Sequence, residues 1–141
     1  MTRFLGYPYP ITKTPKGYFY SQDGINTIKS DLLQLILTNP GERIMNPEFG
    51  TPLKRLLFEP NDFSARLQAR NIIIDSINKW EPRIVIDKIE VSSQIDKTSL
   101  NKFDDNSEIE NILFIRILFR DPEDLANVQE LVLEVPLNGG L

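Results

Sequence analysis

The residues that could do acid–base chemistry in this chain are carboxylates alone, because its 141 residues include neither His nor Cys. That composition removes the most common general base, the most common metal ligand and any thiol nucleophile. Four glutamates fall in or beside predicted loops and could in principle form a glycosidase-like pair: Glu42, Glu48, Glu59 and Glu81. Their spacing does not indicate which two would face each other. We therefore expect no catalytic residues.

Motifs for cofactors and metals are also missing. The chain contains no P-loop, no Rossmann glycine fingerprint and no zinc-ligand spacing. Asp104-Asp105-Asn106 matches a calcium loop only in composition, since the glycine and the closing glutamate of such a loop are missing. We expect neither a cofactor nor a bound metal.

A second chemical pattern is the segment Trp80-Glu81-Pro82-Arg83-Ile84, where helical spacing of apolar residues changes to strand spacing. A proline disfavours the α conformation of the preceding residue, so a helix should end at Glu81 and Pro82 should form a rigid corner. Arg83 could then bind a carboxylate or carbonyl oxygens, while Glu81 could accept from backbone N–H groups or from Arg. The alternative is that both are solvated charges flanking a helix end.

Two helices are predicted before this corner. The first has apolar residues at helical spacing from Ile25 to Ile36, in a stripe that Leu33 and Leu37 widen. Ser21 or Asp23 should be its N-cap, and it should end at Asn39-Pro40-Gly41. Residues 41–53 should form a turn-rich loop, with room for two short strands, that Phe49 anchors to the core. The second helix should start after an Asn61 or Asp62 cap and bury one face that comprises Phe63, Leu67, Ile74 and Ile77.

Three strands are predicted after the corner, because apolar and polar residues alternate there with a period of two. They cover residues 85–95, 113–119 and 131–137, and residues 96–110 form a long polar loop between the first two. The fold class is α+β, with two main helices followed by a three-stranded, mostly antiparallel sheet. The last strand could offer its edge to another chain, or it could simply complete its own sheet. Its apolar residues are Leu131, Leu133 and Val135.

The composition fits one domain over residues 1–141, divided into an extended N-terminal arm (1–21), a helical part (22–80) and a sheet part (81–141). The aromatic arm should pack either on its own domain or on a neighbouring subunit. A formal charge of −4 with well-mixed signs argues against a nucleic-acid partner. No apolar run approaches the roughly 20 residues that a membrane span needs, and no signal peptide is expected.

Two motifs together resemble a known family. Asn46-Pro47-Glu48-Phe49-Gly50 and Leu56 to Glu59 precede a helix, and Trp80-Glu81-Pro82-Arg83-Ile84 follows it. This order and spacing resembles the baseplate wedge family of contractile phage tails, which includes the corresponding component of type VI secretion baseplates. The similarity is strongest over residues 25–89.

The resemblance implies a non-enzymatic assembly protein whose fold is similar to the interlocking domain of a sheath subunit. It implies core baseplate wedge proteins and the tail sheath protein as partners, with tube or hub proteins as further candidates, in a six-fold baseplate. The implied location is the tail baseplate of the virion, assembled in the host cytoplasm. The residues implied to bind partners are Glu81, Pro82 and Arg83 at the corner, Pro47, Glu48, Phe49 and Gly50 in the loop, and Leu131, Leu133 and Val135 in the last strand.

Two alternatives stay open at this stage. Some members of the family are labelled lysozyme-like, so a peptidoglycan hydrolase that uses Glu48 or Glu81 is the first. A terminator protein of the tail tube or sheath is the second. For the wedge protein, we expect Arg83→Ala to leave the isolated fold nearly intact and to prevent assembly.

Overall fold

The computed structural model describes residues 5–18, 22–58, 63–92 and 112–136. Within these ranges the helices and strands follow in this order: β1 (Leu5–Gly6), β2 (Gln22–Asp23), α1 (Ile25–Leu37), a 3₁₀ helix (Leu53–Phe58), α2 (Phe63–Trp80), β3 (Val85–Ser92), β4 (Ile112–Asp121) and β5 (Asp124–Pro136). The predicted α+β class is confirmed, with two helices followed by a three-stranded antiparallel sheet. The predicted loop at residues 96–110 and the predicted caps Asn61 and Asp62 lie outside the described residues.

The sheet has the order β3-β4-β5, and β4 lies between its two neighbours. Side chains on one face of β4 alternate with a period of two and are all buried: Leu113, Ile115, Ile117 and Phe119. They continue as rows across the sheet, because Ile117 pairs with Ile89 on β3 and with Leu131 on β5. Both helices cover this face, α2 against β3 and α1 against β5. The core therefore lies between one face of the sheet and the two helices.

Charged side chains link the strands on the opposite face of the sheet. Arg116 on β4 lies directly opposite Glu90 on β3, with Nη1 and Oε2 3.4 Å apart, and its Nε donates to Glu130 on β5. Arg120 donates from Nε to Asp87 at 2.5 Å. This ladder of ion pairs is solvent-exposed, so each pair contributes little to stability.

The third strand is longer than predicted. β5 begins at Asp124, not at Leu131, because a tight turn at Pro122-Glu123 returns the chain directly after β4. The Asp121 carboxylate stabilises this turn by accepting from the Glu123 N–H at 2.9 Å. The first half of β5 is mostly exposed and does not alternate, so periodicity could not reveal it.

Helix α1 matches its prediction except at its N-terminus. The N-cap is Gly24, with φ of 66° and no capping side chain, so the predicted cap at Asp23 is wrong. Asp23 belongs instead to β2, and Ser21 lies outside the described residues. The Gly24 carbonyl accepts the first helical hydrogen bonds, from Thr27 and Ile28.

Helix α2 buries its predicted face only in part, at Ile74 and Ile77. Phe63 and Leu67 are 74% and 44% exposed, whereas Ala65, Ala69 and Ile73 are buried together with Ile77. The small side chains of Ala65 and Ala69 thus belong to the buried face. The predicted stripe followed the larger apolar residues and was wrong at Phe63 and Leu67.

The N-terminal segment folds back on the helical part. β1 pairs with β2 in antiparallel fashion, Leu5 opposite Asp23, and the Tyr9 N–H donates to Ser30 Oγ on α1 at 3.2 Å.

Within the described ranges, the loop from Gly41 to Leu53 contains turns but none of the short strands considered for it. Among the described helices, none is long and apolar enough to cross a membrane.

The identity of the buried α2 face can be tested with two truncations. Ile73→Ala should lower the free energy of unfolding by about 2–5 kcal/mol, because Ile73 is fully buried in the core. Phe63→Ala should change it by no more than about 0.5 kcal/mol, because that side chain is mostly exposed. Urea unfolding of both variants measures the difference. Equal losses would contradict the packing described here.

Candidate functional site

The corner after α2 holds a buried carboxylate. The helix ends at Trp80, and the Glu81 N–H donates to the Ile77 carbonyl at 2.7 Å as the last helical hydrogen bond. Pro82 is exposed, while Glu81 is only 5% exposed. A buried charge needs a partner of opposite sign close by.

Arg83 supplies that partner. Its Nε donates to Glu81 Oε1 at 2.6 Å and its Nη2 donates to Glu81 Oε2 at 2.5 Å, which makes the contact bidentate. Nη2 also donates to Asp31 Oδ2 on α1 at 2.7 Å. The hydrogen bonds that Arg83 donates to Glu81, with a smaller contribution from Asp31, hold the pKa of Arg83 above its usual range despite partial burial. The two charges of the corner thus pair with each other and tie it to α1.

The loop between the helices lies against this corner. The Phe49 ring contacts the Trp80 ring edge to face, with centroids 5.3 Å apart. The Arg43 guanidinium lies over the Phe49 ring, 3.9 Å from its centroid, and donates to Gln34 Oε1 at 3.1 Å. The aromatic contact and the cation–π contact thus bring together the motif around Phe49 and the motif around Trp80, which are about thirty residues apart in the sequence.

Glu48 lies at the rim of the same stack. Its carboxylate is 77% exposed and is 3.6 Å from the Lys79 ammonium, which in turn lies 4.9 Å from the Trp80 centroid. An exposed ion pair of this kind is weakly held. Glu48 is therefore accessible to another protein.

The loop owes its shape to one close backbone contact. Gly50 has φ of +130°, and a Cβ at this position would be 2.4 Å from the Thr38 carbonyl oxygen. Next to it, Thr51 N donates to the same carbonyl at 2.9 Å, and Thr51 Oγ1 donates to Leu35 O at 3.0 Å. The loop is thereby fixed to the end of α1.

The start of the loop is closed by Glu42. Its carboxylate accepts from the backbone and side chain of Asn39, at 3.1 and 3.0 Å. These hydrogen bonds lower the pKa of the Glu42 carboxyl, and the Lys54 ammonium beside it lowers this pKa further. Glu42 is thus a structural residue of the loop and is not placed at the corner pocket.

A pocket of about 180 Å³ lies where the loop and the corner meet. Three of its lining residues, Glu81, Arg83 and Phe49, were predicted to bind partners, whereas Asp31 and Gln34 on α1 were not predicted. The full lining is Asp31, Gln34, Leu35, Arg43, Phe49, Trp80, Glu81 and Arg83. No sequence signal could find Asp31, because it is 52 residues from Arg83. The described residues contain no cluster that could hold a metal ion.

An exposed apolar tip was also missed. Ile44 and Met45 are 95% and 96% exposed, side by side on the loop that carries the pocket. Two adjacent apolar side chains in this state are unusual on a folded surface and are typical of a protein contact. The sequence contains an indication of this tip, because Ile44 and Met45 are adjacent apolar residues between the turn residues Gly41 and Asn46-Pro47.

The residues proposed on the last strand lie elsewhere. Leu131 and Leu133 are 8% and 6% exposed and face the chain's own core, and Val135 packs against it. A partner at β5 would reach its backbone edge and not these side chains.

The geometry offers little to a hydrolase. Both carboxylate oxygens of Glu81 accept from Arg83, so neither is presented to a substrate. Glu48 is exposed and paired with Lys79. A general acid and a nucleophile of a glycosidase must flank one bond from a shared cleft.

Comparisons with known proteins identify the family. The sequence model described as "Baseplate wedge protein gp25" matches residues 22–114, which include both motifs. The chain belongs to this family. The resemblance inferred from the two motifs is thereby confirmed, and the protein is a structural protein of the baseplate wedge of contractile tails.

One relative supports this assignment, and two solved structures share the fold. The baseplate wedge protein gp25 of Enterobacteria phage T4 is 34% identical over 107 residues, covering 75% of this chain and 73% of the phage protein. A Geobacter sulfurreducens protein described as a tail lysozyme has a similar fold, with a TM-score of 0.62, 23% identity and coverage of 78% of this chain and 87% of its own. A chain of the six-fold baseplate of the anti-feeding prophage gives a TM-score of 0.61 at 19% identity, covering 96% and 87%.

In this gp25-family protein, Gly50→Ala should destabilise the loop strongly. The added Cβ would meet the Thr38 carbonyl and the residue would keep a positive φ, so we expect a loss above about 3 kcal/mol. Gly41→Ala is the matched control, because Gly41 also has positive φ but open space around its Cβ, and it should cost about 1–2 kcal/mol. Chemical denaturation compares the two. A similar loss in both variants would mean that the Thr38 contact is unimportant.

Arg83→Ala should destabilise this family member as well, and so the expectation of a nearly intact fold is revised. The variant leaves the buried Glu81 carboxylate without its partner and should lower the free energy of unfolding by about 2–4 kcal/mol. This value lies between the usual cost of an unsatisfied buried polar group and that of a broken buried ion pair. Adding Glu81→Gln should restore part of this loss. Arg116→Ala, on the exposed face, should cost less than about 1 kcal/mol. A double-mutant cycle without coupling between residues 81 and 83 would refute the pairing.

Proposed function

We propose that this protein holds neighbouring wedge proteins together in the baseplate of a contractile tail and performs no catalysis. The observation that carries the proposal is that both family motifs meet in one rigid surface, the contact of Phe49 with Trp80 beside the Arg83–Glu81 pair. We call this the corner surface: residues 41–50 of the loop together with residues 80–83.

The corner surface combines a rigid base with accessible groups. Glu81 and Arg83 satisfy each other inside the chain, so their main task is to hold the backbone of the corner in one shape. The groups that another protein can reach include Pro82, Pro47, Glu48 and the apolar tip of Ile44 and Met45. Preorganised sites of this kind bind with less loss of conformational entropy. Core wedge proteins are the proposed occupants.

A second contact is proposed at the sheet. β5 is 13 residues long, and among the described strands it pairs only with β4, which leaves its other edge open. An open edge can accept a strand from another chain through backbone hydrogen bonds. We propose that the tail sheath protein pairs here and that the first sheath ring is assembled on this edge.

The proposed setting is the tail baseplate of a virion or related particle, with assembly in the producing cell's cytoplasm. A six-fold arrangement around the tail tube is proposed in view of the six-fold baseplate that contains the structural relative. Tube or hub proteins are further proposed neighbours. Residues 1–141 are proposed to act as one domain in this assembly.

The proposal is tested by co-expression with the wedge and sheath proteins encoded nearby, followed by co-purification. Wild type should form a stable complex, and Ile44→Ser/Met45→Ser should weaken it by at least about a hundredfold, since each apolar side chain buried is worth about 1.5–3 kcal/mol. The matched control is Phe63→Ser, which removes an exposed apolar side chain on α2, outside both proposed contacts.

Two results would oppose the proposal. One is a folded wild-type protein that binds none of these proteins. The other is clearing of cell walls by the purified protein that Glu48→Gln or Glu81→Gln removes, because that result would establish a hydrolase.

A further inference from the structure

All four tyrosines of the chain lie within residues 7–20. Three of them are described and exposed, Tyr7 at 58%, Tyr9 at 43% and Tyr18 at 73%, and Ile11 beside them is 63% exposed. We call residues 7–18 the tyrosine loop. Tyrosine buries a large ring at low cost in conformational entropy and is enriched where proteins bind one another. So many exposed rings in twelve residues indicate a contact surface.

The charge of this segment differs from that of the rest of the chain. Residues 1–22 contain three basic residues and no acidic ones, whereas the chain as a whole has a formal charge of −4. Lys13 and Lys16 are exposed on the tyrosine loop and have no ion-pair partner among the described residues. Many lysines and arginines elsewhere are paired, as Lys54 is with Glu42. The loop therefore carries positive charge that none of the described residues neutralises.

The base and tip of the tyrosine loop are both fixed. The β1–β2 pair closes its base, Pro8 is buried, and the Tyr9 N–H bonds to Ser30 on α1. At the tip, the Gly17 N–H donates to Thr14 O at 2.9 Å, and the Thr14 N–H donates to Tyr18 O at 2.7 Å. A loop held in this way presents its side chains in a defined arrangement.

The tyrosine loop also lies outside the part of the chain that matches the family model, which begins at residue 22. The properties shared across the family are thus carried by other residues. A feature outside the shared region is suited to a contact that distinguishes this protein from its relatives.

We infer that the tyrosine loop is a docking element for an acidic surface of a neighbouring baseplate protein. The inference rests on the proposed function for the identity of the partner. Lys13 and Lys16 pair with carboxylates of the partner, while the Tyr and Ile side chains cover apolar surface between them and the tyrosine hydroxyls bond to its polar atoms. Three basic residues are few for a nucleic-acid site, which needs an extended basic surface.

The experiment uses the full-length protein in the co-purified wedge complex. Lys13→Ser/Lys16→Ser/Tyr18→Ser should weaken binding at least about tenfold at low ionic strength, and the difference should shrink at high salt because screening weakens exposed pairs. Arg55→Ser/Arg70→Ser is the matched control, since it removes two exposed positive charges elsewhere and should bind as wild type does. If the loop variant binds as tightly as wild type, the inference fails while the proposed function stands.

A second arm decides the case in which wild type forms no complex. A photo-crosslinking amino acid is placed at position 18, and at the exposed position 63 as control, in cells that assemble the particle. An adduct specific to position 18 with a protein of acidic surface, lost in Lys13→Glu/Lys16→Glu, supports the inference. No adduct, an adduct with nucleic acid or an adduct with a second copy of this chain overturns it.

Discussion

The buried carboxylate of Glu81 is the constraint on which the arrangement of helices and sheet depends. Its negative charge must be balanced. Arg83 balances it because Pro82 turns the chain, so that the Arg83 guanidinium reaches back to the Glu81 carboxylate. The same guanidinium binds Asp31, so the end of α2, the start of β3 and the middle of α1 meet at one group. The proline, the acid and the base are therefore parts of one structural unit and not three separate binding residues.

The corner also explains why a loop with so few regular hydrogen bonds is ordered. Trp80 ends α2 with its ring against Phe49, and Gly50 then brings the chain close to the end of α1. The loop is thus held by aromatic packing on one side and backbone contact on the other. Its apolar tip, Ile44 and Met45, stays exposed, whereas Phe49 and Gly50 on the same loop make these contacts. Binding surface and scaffold are divided between neighbouring residues of one loop.

The sequence predicted the elements well and their contacts less well. Strict alternation of apolar and polar residues predicted β4, and the helical spacing of apolar residues predicted α1, because in both elements the buried positions are occupied by large apolar side chains. The α2 face was wrong at Phe63 and Leu67, which are exposed, because the predicted stripe followed the larger apolar residues whereas the helix also buries Ala65 and Ala69. At the corner, the pairing potential of Arg83 and Glu81 was predicted, but whether their partners lie within the chain depends on Asp31, which only the folded chain brings near.

The exposed ladder across the sheet has a consequence for how the strands find one another. A slip of two residues between β3 and β4 would keep Ile89 and Val91 on the buried side, so the core alone distinguishes poorly between alternative alignments. Charge does distinguish them: the native alignment sets Arg116 opposite Glu90, and a two-residue slip sets it opposite Lys88 or Ser92 instead. Ion pairs too weak to add much stability can still select one alignment, since an error exchanges attraction for repulsion or for nothing.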